Sequence, residues 1–303
     1  MDSVFVTGVS GYVGSCLLPA IAMRAPRVVA LARAPGRLPA GIRALPNVSF
    51  VTGDLRSGNT WTGRLKGCSA VVHLASITGK APPDAYAQTI VDGTRRLVDA
   101  ARDHGARTFV YCSTIAVGFP DQRRYFYAHA KSSAEELVRN SGLRHTIVRP
   151  TMVFGPSSPV LAGLARLAGA PIVPIFGSGA VSVQPVDVDD LVRGLVRLLE
   201  RDQAESGTVE IGGPEKLTIE ELLRRIRTHL GRAEPRTLHI PLGPVRTVLA
   251  LLEPFALSVL PLTCGQLATF ANDGTAESSA FMSALEAEMR PLDETLRRSL
   301  NGT

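Results

Sequence analysis

The stretch "SVFVTGVSGYVG", residues 3–14, decides how the chain folds. Val4, Phe5 and Val6 make a short apolar run of the kind buried on both faces of a parallel sheet. Gly8, Gly11 and Gly14 follow at intervals of three, and residues 12–24 then read as a helix. Glycines at a strand-to-helix turn let the backbone turn tightly and approach a pyrophosphate, which the free N–H groups of the first helical turn bind. A glycine triplet alone says little. Placed directly after the first strand and at the opening of a helix, it points to a dinucleotide.

Further strand candidates are "RVVALAR" (27–33), "VSFVTGD" (48–54), "AVVHLA" (70–75), "RTFVYCS" (107–113) and "HTIVRPT" (145–151), with helical patterns at 84–104 and 127–141. Strands alternating with helices of this length predict an α/β fold with a doubly wound parallel sheet. After residue 155, glycine and proline punctuation marks a lobe outside that sheet. "SVQPVDVDDLVRGLVRLLER" reads as a short strand and a helix capped by Asp187, Asp189 or Asp190, and "GTVEIGG" as one more strand. "LTIEELLRRIRTHLG" reads as a helix with Thr218 at its N-cap and Gly231 at its stop, its Arg224, Arg225 and Arg227 facing solvent with Arg232. The expected organisation is a nucleotide-binding core of 1–156 plus about 180–213. Residues 157–179 plus 214–303 then make a smaller substrate-binding lobe.

The 303 residues are 45% hydrophobic and 20% charged, an ordinary globular composition. Four cysteines, Cys16, Cys68, Cys112 and Cys264, lie far apart without metal-ligand spacing, which suits reduced thiols and a cytoplasmic protein. The opening "MDSVFVTG" shows no charged-then-apolar leader. The net charge of +6 comes from scattered arginines, with no nucleic-acid module, so no nucleic-acid partner is expected. "LGPVRTVLALLEPFALSVLPL" (242–262) has the length of a membrane span but is interrupted by Arg246, Glu253, Pro254 and Pro261. Two short helices over a pocket or an interface are expected there, with no span; attachment to a membrane surface stays open. Leu249, Leu252, Phe255 and Leu260 in this stretch are expected in the core of the lobe.

"YFYAHAK" (125–131) sets Tyr127 and Lys131 four residues apart, one helical turn, in a chain with five tyrosines and four lysines. Chance would supply such a pair roughly 0.07 times. An ammonium beside a phenol favours the phenolate and equips it for proton transfer. Tyr125 has no lysine four residues on and reads as packing or pocket wall; His129 points off that face.

The glycine spacing preceded by Thr7 resembles the extended branch of the short-chain dehydrogenase/reductase superfamily, the NAD(P)-dependent epimerase/dehydratase-like enzymes. The resemblance covers about residues 3–230 and implies a Rossmann core. It implies cofactor contacts from Gly8, Ser10, Gly11, Tyr12, Val13 and Gly14. "GDL" (53–55) is similar to the segment where the acid, here Asp54, with Leu55 beside it, holds the adenine ring. "HLAS" (73–76) is similar to the turn beneath the nicotinamide, here Leu74, Ala75 and Ser76. "RPTMVFGP" (149–156) resembles the strand end where Pro150 and Val153 border it, and "VQPVDVDDL" (183–191) the return into the core. The same resemblance makes Tyr127 the catalytic acid/base, Lys131 its partner and ribose ligand, and Thr114, with Ser113 as backup, the hydroxyl that holds the substrate oxygen. Dimerisation through a two-helix bundle is common in that branch, and one chain leaves a homodimer open.

Two departures narrow the chemistry. Ile115 and Ala116 stand where 4,6-dehydratases carry an acidic pair, so elimination of water is not expected. Only twelve residues separate Thr114 from Tyr127, a shorter loop than sugar-nucleotide enzymes of this branch have. The second strand ends in "ALARAPGR" with no acid, and Arg33, helped by Arg37 and Ser10, suits the extra phosphate of NADP better than the ribose of NAD. The expected activity is an NADP-dependent ketoreductase or alcohol dehydrogenase acting on the carbonyl or alcohol of a small metabolite. The alternatives are an NAD-dependent sugar-nucleotide epimerase and a non-catalytic dinucleotide-binding sensor or accessory subunit.

Overall fold

Seven short strands build one parallel sheet, because the inner ones are apolar over most of their length and need cover on both faces. They are β1 (Ser3–Thr7), β2 (Arg27–Ala32), β3 (Val48–Thr52), β4 (Ala70–His73), β5 (Thr108–Cys112), β6 (Arg144–Pro150) and β7 (Gly207–Ile211). The computed structural model describes residues 2–57, 60–200, 206–260, 262–278 and 288–300. The spatial order is β7-β6-β5-β4-β1-β2-β3, and every pairing is parallel. The order reverses between β4 and β1. In such sheets ligands bind in the crevice outside the carboxyl ends of the strands at that point.

The covering helices are α1 (Tyr12–Ala22), α2 (Gly93–Asp103), α3 (Phe126–Arg139) and α5 (Val188–Glu200); between α3 and α5 lies α4 (Pro159–Ala168). Leu17, Leu18 and Ile21 of α1 pack with Leu191 and Leu195 of α5 on one face of the sheet. On the other face Leu97 and Ala101 of α2 pack with Ala134 and Val138 of α3 around Phe5, Phe109 and Tyr111. The helix expected at 84–104 is three pieces: Pro83–Tyr86, a π-helical turn at Ala87–Asp92, and α2. Asp187 caps α5, its Oδ1 accepting from the Asp189 N–H at 2.8 Å.

Beyond the sheet lie α4, α6 (Ile219–His229), α7 (Leu242–Ala256) and α8 (Leu292–Leu300). Thr218 caps α6 by accepting from the Glu221 N–H at 3.1 Å, and Gly231 ends it at φ +67°. Leu161, Leu164, Leu222, Ile226, Leu292 and Leu296 form one buried cluster there. Arg227 departs from expectation: it is buried, and its guanidinium donates to the carbonyls of Ala168, Ala170 and Ala233 at 2.6–2.8 Å. Those three carbonyls end α4 and its following loop and the loop after α6, so one side chain ties them together.

The stretch expected to make two short helices makes one, α7, with Pro254 inside its last turn. Only Leu249 and Leu260 of the four expected core residues are buried; Leu252 is 43% and Phe255 89% exposed. Pro261, residues 201–205 of the expected core, and 279–287 and 301–303 of the expected lobe lie outside the described residues. No helix among the described residues is long and apolar enough to cross a membrane.

Candidate active site

Because the strands are parallel, every segment that follows a strand reaches the same edge of the sheet. That edge collects Gly8–Gly14 after β1, Arg33 after β2, Asp54 after β3, Leu74–Ser76 after β4, Ser113 and Thr114 after β5, and Val153 after β6. The glycine loop is closed so tightly that only hydrogen fits. A Cβ on Gly8 would stand 2.5 Å from the Ala75 nitrogen, and one on Gly14 would stand 2.1 Å from the Gly8 oxygen. Gly8 also has φ +76°, a region glycine enters freely. Gly11 precedes α1 without a side-chain cap, which leaves the N–H groups of the first turn directed at the crevice. A close, uncapped helix start with no side chains in the way fits a dinucleotide pyrophosphate.

Thr7 and His73 lock β1 to β4 below this loop. The Thr7 hydroxyl meets His73 Nδ1 at 2.7 Å, and His73 Nε2 meets the Thr94 hydroxyl at 2.9 Å. Burial, with Lys131 nearby, pushes the imidazole down to about 3, so it stays neutral. Thr7 Oγ1 also accepts from the Ala75 N–H at 3.3 Å, which sets the Leu74–Ser76 turn against Gly8. Tyr12 leans over Gly155, whose Cβ would stand 2.5 Å from its hydroxyl. That hydroxyl is buried without a hydrogen-bond partner among the described residues.

Along the same edge, Ser10 and Arg33 are exposed, and Arg33 has no ion-pair partner among the described residues. Arg56 grips the Asp54 carboxylate at 2.8 Å and, with its own N–H, holds that carboxyl below the usual range. Leu55 is buried and packs on the Cα of Gly93. Pro150 ends β6 beside Ile211, and Val153 pairs with Val186.

The polar groups after β5 separate into two kinds. Ser113 is buried and donates to Glu135 Oε1 at 2.6 Å, so its hydroxyl is committed. Thr114 accepts from the Ala116 N–H at 3.3 Å and, among the described residues, has no acceptor for its own proton. Tyr127 sits in the first turn of α3, half-buried, with the Tyr125 ring at 5.9 Å and the Tyr86 ring at 6.2 Å. Lys131 is 2% exposed; its ammonium donates to the Cys112 carbonyl at 2.7 Å, 4.8 Å from the centre of the Tyr111 ring and 6.0 Å from that of Tyr127. The phenol is raised rather than lowered as the spacing suggested: burial pushes Tyr127 up, with Tyr125, Cys112 and Tyr86 adding and Ser76 opposing. The ammonium has turned to the end of β5, and burial rather than that charge sets the phenol.

Residues 4–212 match the model of a family described as NAD dependent epimerase/dehydratase. The chain belongs to that family. A ceramide reductase of Caulobacter vibrioides is 29% identical over 84% of this chain and 78% of its own length. A dTDP-4-dehydro-6-deoxy-D-allose reductase of Streptomyces bikiniensis is 28% identical over 81% of this chain and 85% of its own. The fold is also that of a solved UDP-glucuronic acid 4-epimerase from Bacillus cereus in complex with NAD, at TM-score 0.76 and 21% identity over 99% of this chain and 97% of that one. The protein is thus an epimerase/dehydratase-family enzyme, an oxidoreductase with a nicotinamide-cofactor fold.

In this family member, sequence reading missed the buried carboxylate that organises the site. Glu135, one turn after Lys131, takes Ser113 and Arg149 on Oε1 at 2.6 and 2.9 Å, and Arg139 and Arg149 on Oε2 at 2.6 and 2.7 Å. Burial works to raise its carboxyl, but Arg149, Ser113 and Arg139 outweigh it and hold it low. An acid at i+4 on the face that carries Lys131 was the available signal.

Burial also pushes the Lys131 ammonium down to about 8 from 10.5. Between those values the unfolded chain holds a proton that the folded chain has lost, so stability rises with pH through that window. Below about pH 8 the full cost of the buried charge is present. Urea unfolding is expected to show a gain of about 1–2 kcal/mol between pH 8 and 9.5 that a Lys131→Met variant lacks. The same gain in the variant would remove Lys131 as its source.

Proposed function

We propose that this enzyme is an NADP-dependent reductase, or the reverse dehydrogenase, working on a carbonyl or alcohol of a small molecule. The observation that carries the cofactor choice is Arg33, exposed and without an ion-pair partner among the described residues at the end of β2, where an acid would bind the ribose of NAD. Its guanidinium, with Ser10 across the glycine loop and Arg37 after it, suits a phosphate. In this reading Gly8, Ser10, Gly11, Tyr12, Val13 and Gly14 line the cofactor's phosphates; Asp54 and Leu55 hold its adenine end; Leu74, Ala75, Ser76, Pro150 and Val153 border the nicotinamide. The lobe of 157–179 plus 214–303 closes over the core of 1–156 plus about 180–213.

When bound, the nicotinamide supplies or accepts the hydride. Thr114 donates a hydrogen bond from its hydroxyl to the substrate oxygen as negative charge grows there, and keeps its proton. Tyr127, kept protonated by burial, hands its proton to that oxygen in the direction of reduction. Lys131 holds the ribose and restores the phenol by proton exchange. Both named curated relatives are reductases, which favours net reduction over redox-neutral epimerisation. The short 115–126 loop and the aromatic wall of Tyr86 and Tyr125 favour an apolar substrate over a sugar nucleotide; of the two reductase relatives, one is named for ceramide and the other for a dTDP-sugar.

Titration with NADPH and NADH, followed by nicotinamide fluorescence, tests this. NADPH is expected to bind more tightly, and Arg33→Ala to weaken it by about 10- to 100-fold while changing NADH by less than about threefold. Preference for NADH, or NAD that co-purifies, would replace this reading with the epimerase.

A further inference from the structure

Helix α7 carries its polarity the wrong way round for a surface helix. Within residues 241–260 every exposed side chain is uncharged, and the large ones are Val248 (54% exposed), Leu251 (67%), Leu252 (43%), Phe255 (89%) and Val259 (79%). The two charged residues of that stretch turn inward. Arg246 Nη1 binds Asp121 at 2.9 Å, and Glu253 accepts from the Cys264 N–H and pairs with Arg124 at 3.3 Å. A surface helix of a globular protein normally shows the reverse arrangement.

What covers this face is decided by its size and its rim. Fifteen residues make a helix about 22 Å long and about 10 Å wide, a face of a few hundred Å². A stable dimer needs about 800 Å² per partner. The rim is basic: Lys80 reaches the Leu260 carbonyl at one end, and Arg123 and Arg124 lie beside the helix, 74% and 43% exposed. Among the described residues, Arg123, Arg124 and Arg246 share two carboxylates in the bonds that seat the helix, Asp121 and Glu253. The whole chain carries +6. An apolar strip with an aromatic tip and a cationic border matches the boundary between acyl chains and acidic headgroups of a bilayer.

We propose that α7 and the turn after it dock this protein onto an anionic lipid bilayer, lying in the interface with Leu251, Phe255 and Val259 inserted. The seat is firm, because Arg246 and Glu253 bolt the inner side to the 121–124 loop and to Cys264. The proposal does not depend on the reaction the enzyme performs.

The test is co-sedimentation of the full chain with vesicles of phosphatidylcholine, with and without phosphatidylglycerol. Binding is expected to be about tenfold stronger or more with phosphatidylglycerol, and to weaken in 1 M salt. A Leu251→Ser, Phe255→Ser double variant is expected to lose about tenfold or more of it. Both side chains are exposed, so the circular dichroism and Tm of the variant should match the parent. No sedimentation, equal partition into both vesicles, or sedimentation the variant leaves unchanged would each overturn the proposal. So would a dimer, seen by light scattering, that the double variant breaks, because a second copy would then own the face.

Discussion

Replacing Tyr127 with phenylalanine is expected to lower kcat by about 10²–10⁴-fold while leaving the NADPH Kd within about threefold. In the proposed reaction the phenol donates the proton that turns a reduced carbonyl into an alcohol, and phenylalanine keeps the ring but not the proton. Burial holds the phenol protonated at neutral pH, which suits an acid in the direction of reduction. Tyr125→Phe, two residues earlier, provides the contrast. Its ring lies against Gly265, whose Cβ would stand 2.9 Å from it, and burial with Tyr86 pushes its hydroxyl up to about 12. It is a wall, and its loss of a hydroxyl is expected to change kcat by less than about threefold. Steady-state kinetics with NADPH and a carbonyl substrate measure both. A Tyr127→Phe enzyme within tenfold of the parent would remove the phenol from the chemistry and leave a dinucleotide-binding protein to explain.

The parallel sheet was legible because its signal is local and repeated. Each of β1 to β6 is a run of four to seven mostly apolar residues, and the glycine turn after the first orders the rest. The residues at the carboxyl edge were legible for the same reason, since each directly follows a strand. What escaped depends on partners distant in sequence. Arg227 sits two and three residues from Arg225 and Arg224 on one helix, and nothing nearby shows that three carbonyls from two other segments await it. Ser113 and Thr114 are chemically alike, and only Glu135, 22 residues on, commits one and spares the other.

Two further misreadings share a cause in solvent. The four-residue spacing of Tyr127 and Lys131 correctly placed them on one helix face, but the pKa of the phenol is set first by burial, which spacing does not describe. Within the apolar stretch at 242–262, Leu252 and Phe255 are expected in the core with Leu249 and Leu260 because apolar side chains usually are. Its inner side, however, is held by Arg246 and Glu253, so its Leu251 and Phe255 were left facing outward. Pro254 did not divide it, since a proline in the last turn interrupts the hydrogen-bond ladder where little of it remains.

The glycine loop gives the second large effect, and a graded one. Gly14→Ala is expected to destabilise the protein by about 3 kcal/mol or more and to abolish measurable NADPH binding. The new methyl would stand 2.1 Å from the Gly8 oxygen and 2.8 Å from its carbon, and both are backbone atoms of the turn that starts the fold. Relief requires α1 to move off β1, yet Leu17, Leu18 and Ile21 anchor α1 in the core against α5. Gly11→Ala meets the same oxygen at 3.2 Å, a contact that a few tenths of an ångström relieve, and is expected to cost about 1 kcal/mol or less. Gly36→Ala has nothing within 4 Å and negative φ, and is expected to be neutral or stabilising by a few tenths of a kcal/mol. Urea midpoints and NADPH titrations on the three variants measure the series. If Gly14→Ala unfolds within about 1 kcal/mol of the parent, α1 is free to move, and the packing argued to hold the pyrophosphate site closed does not hold it.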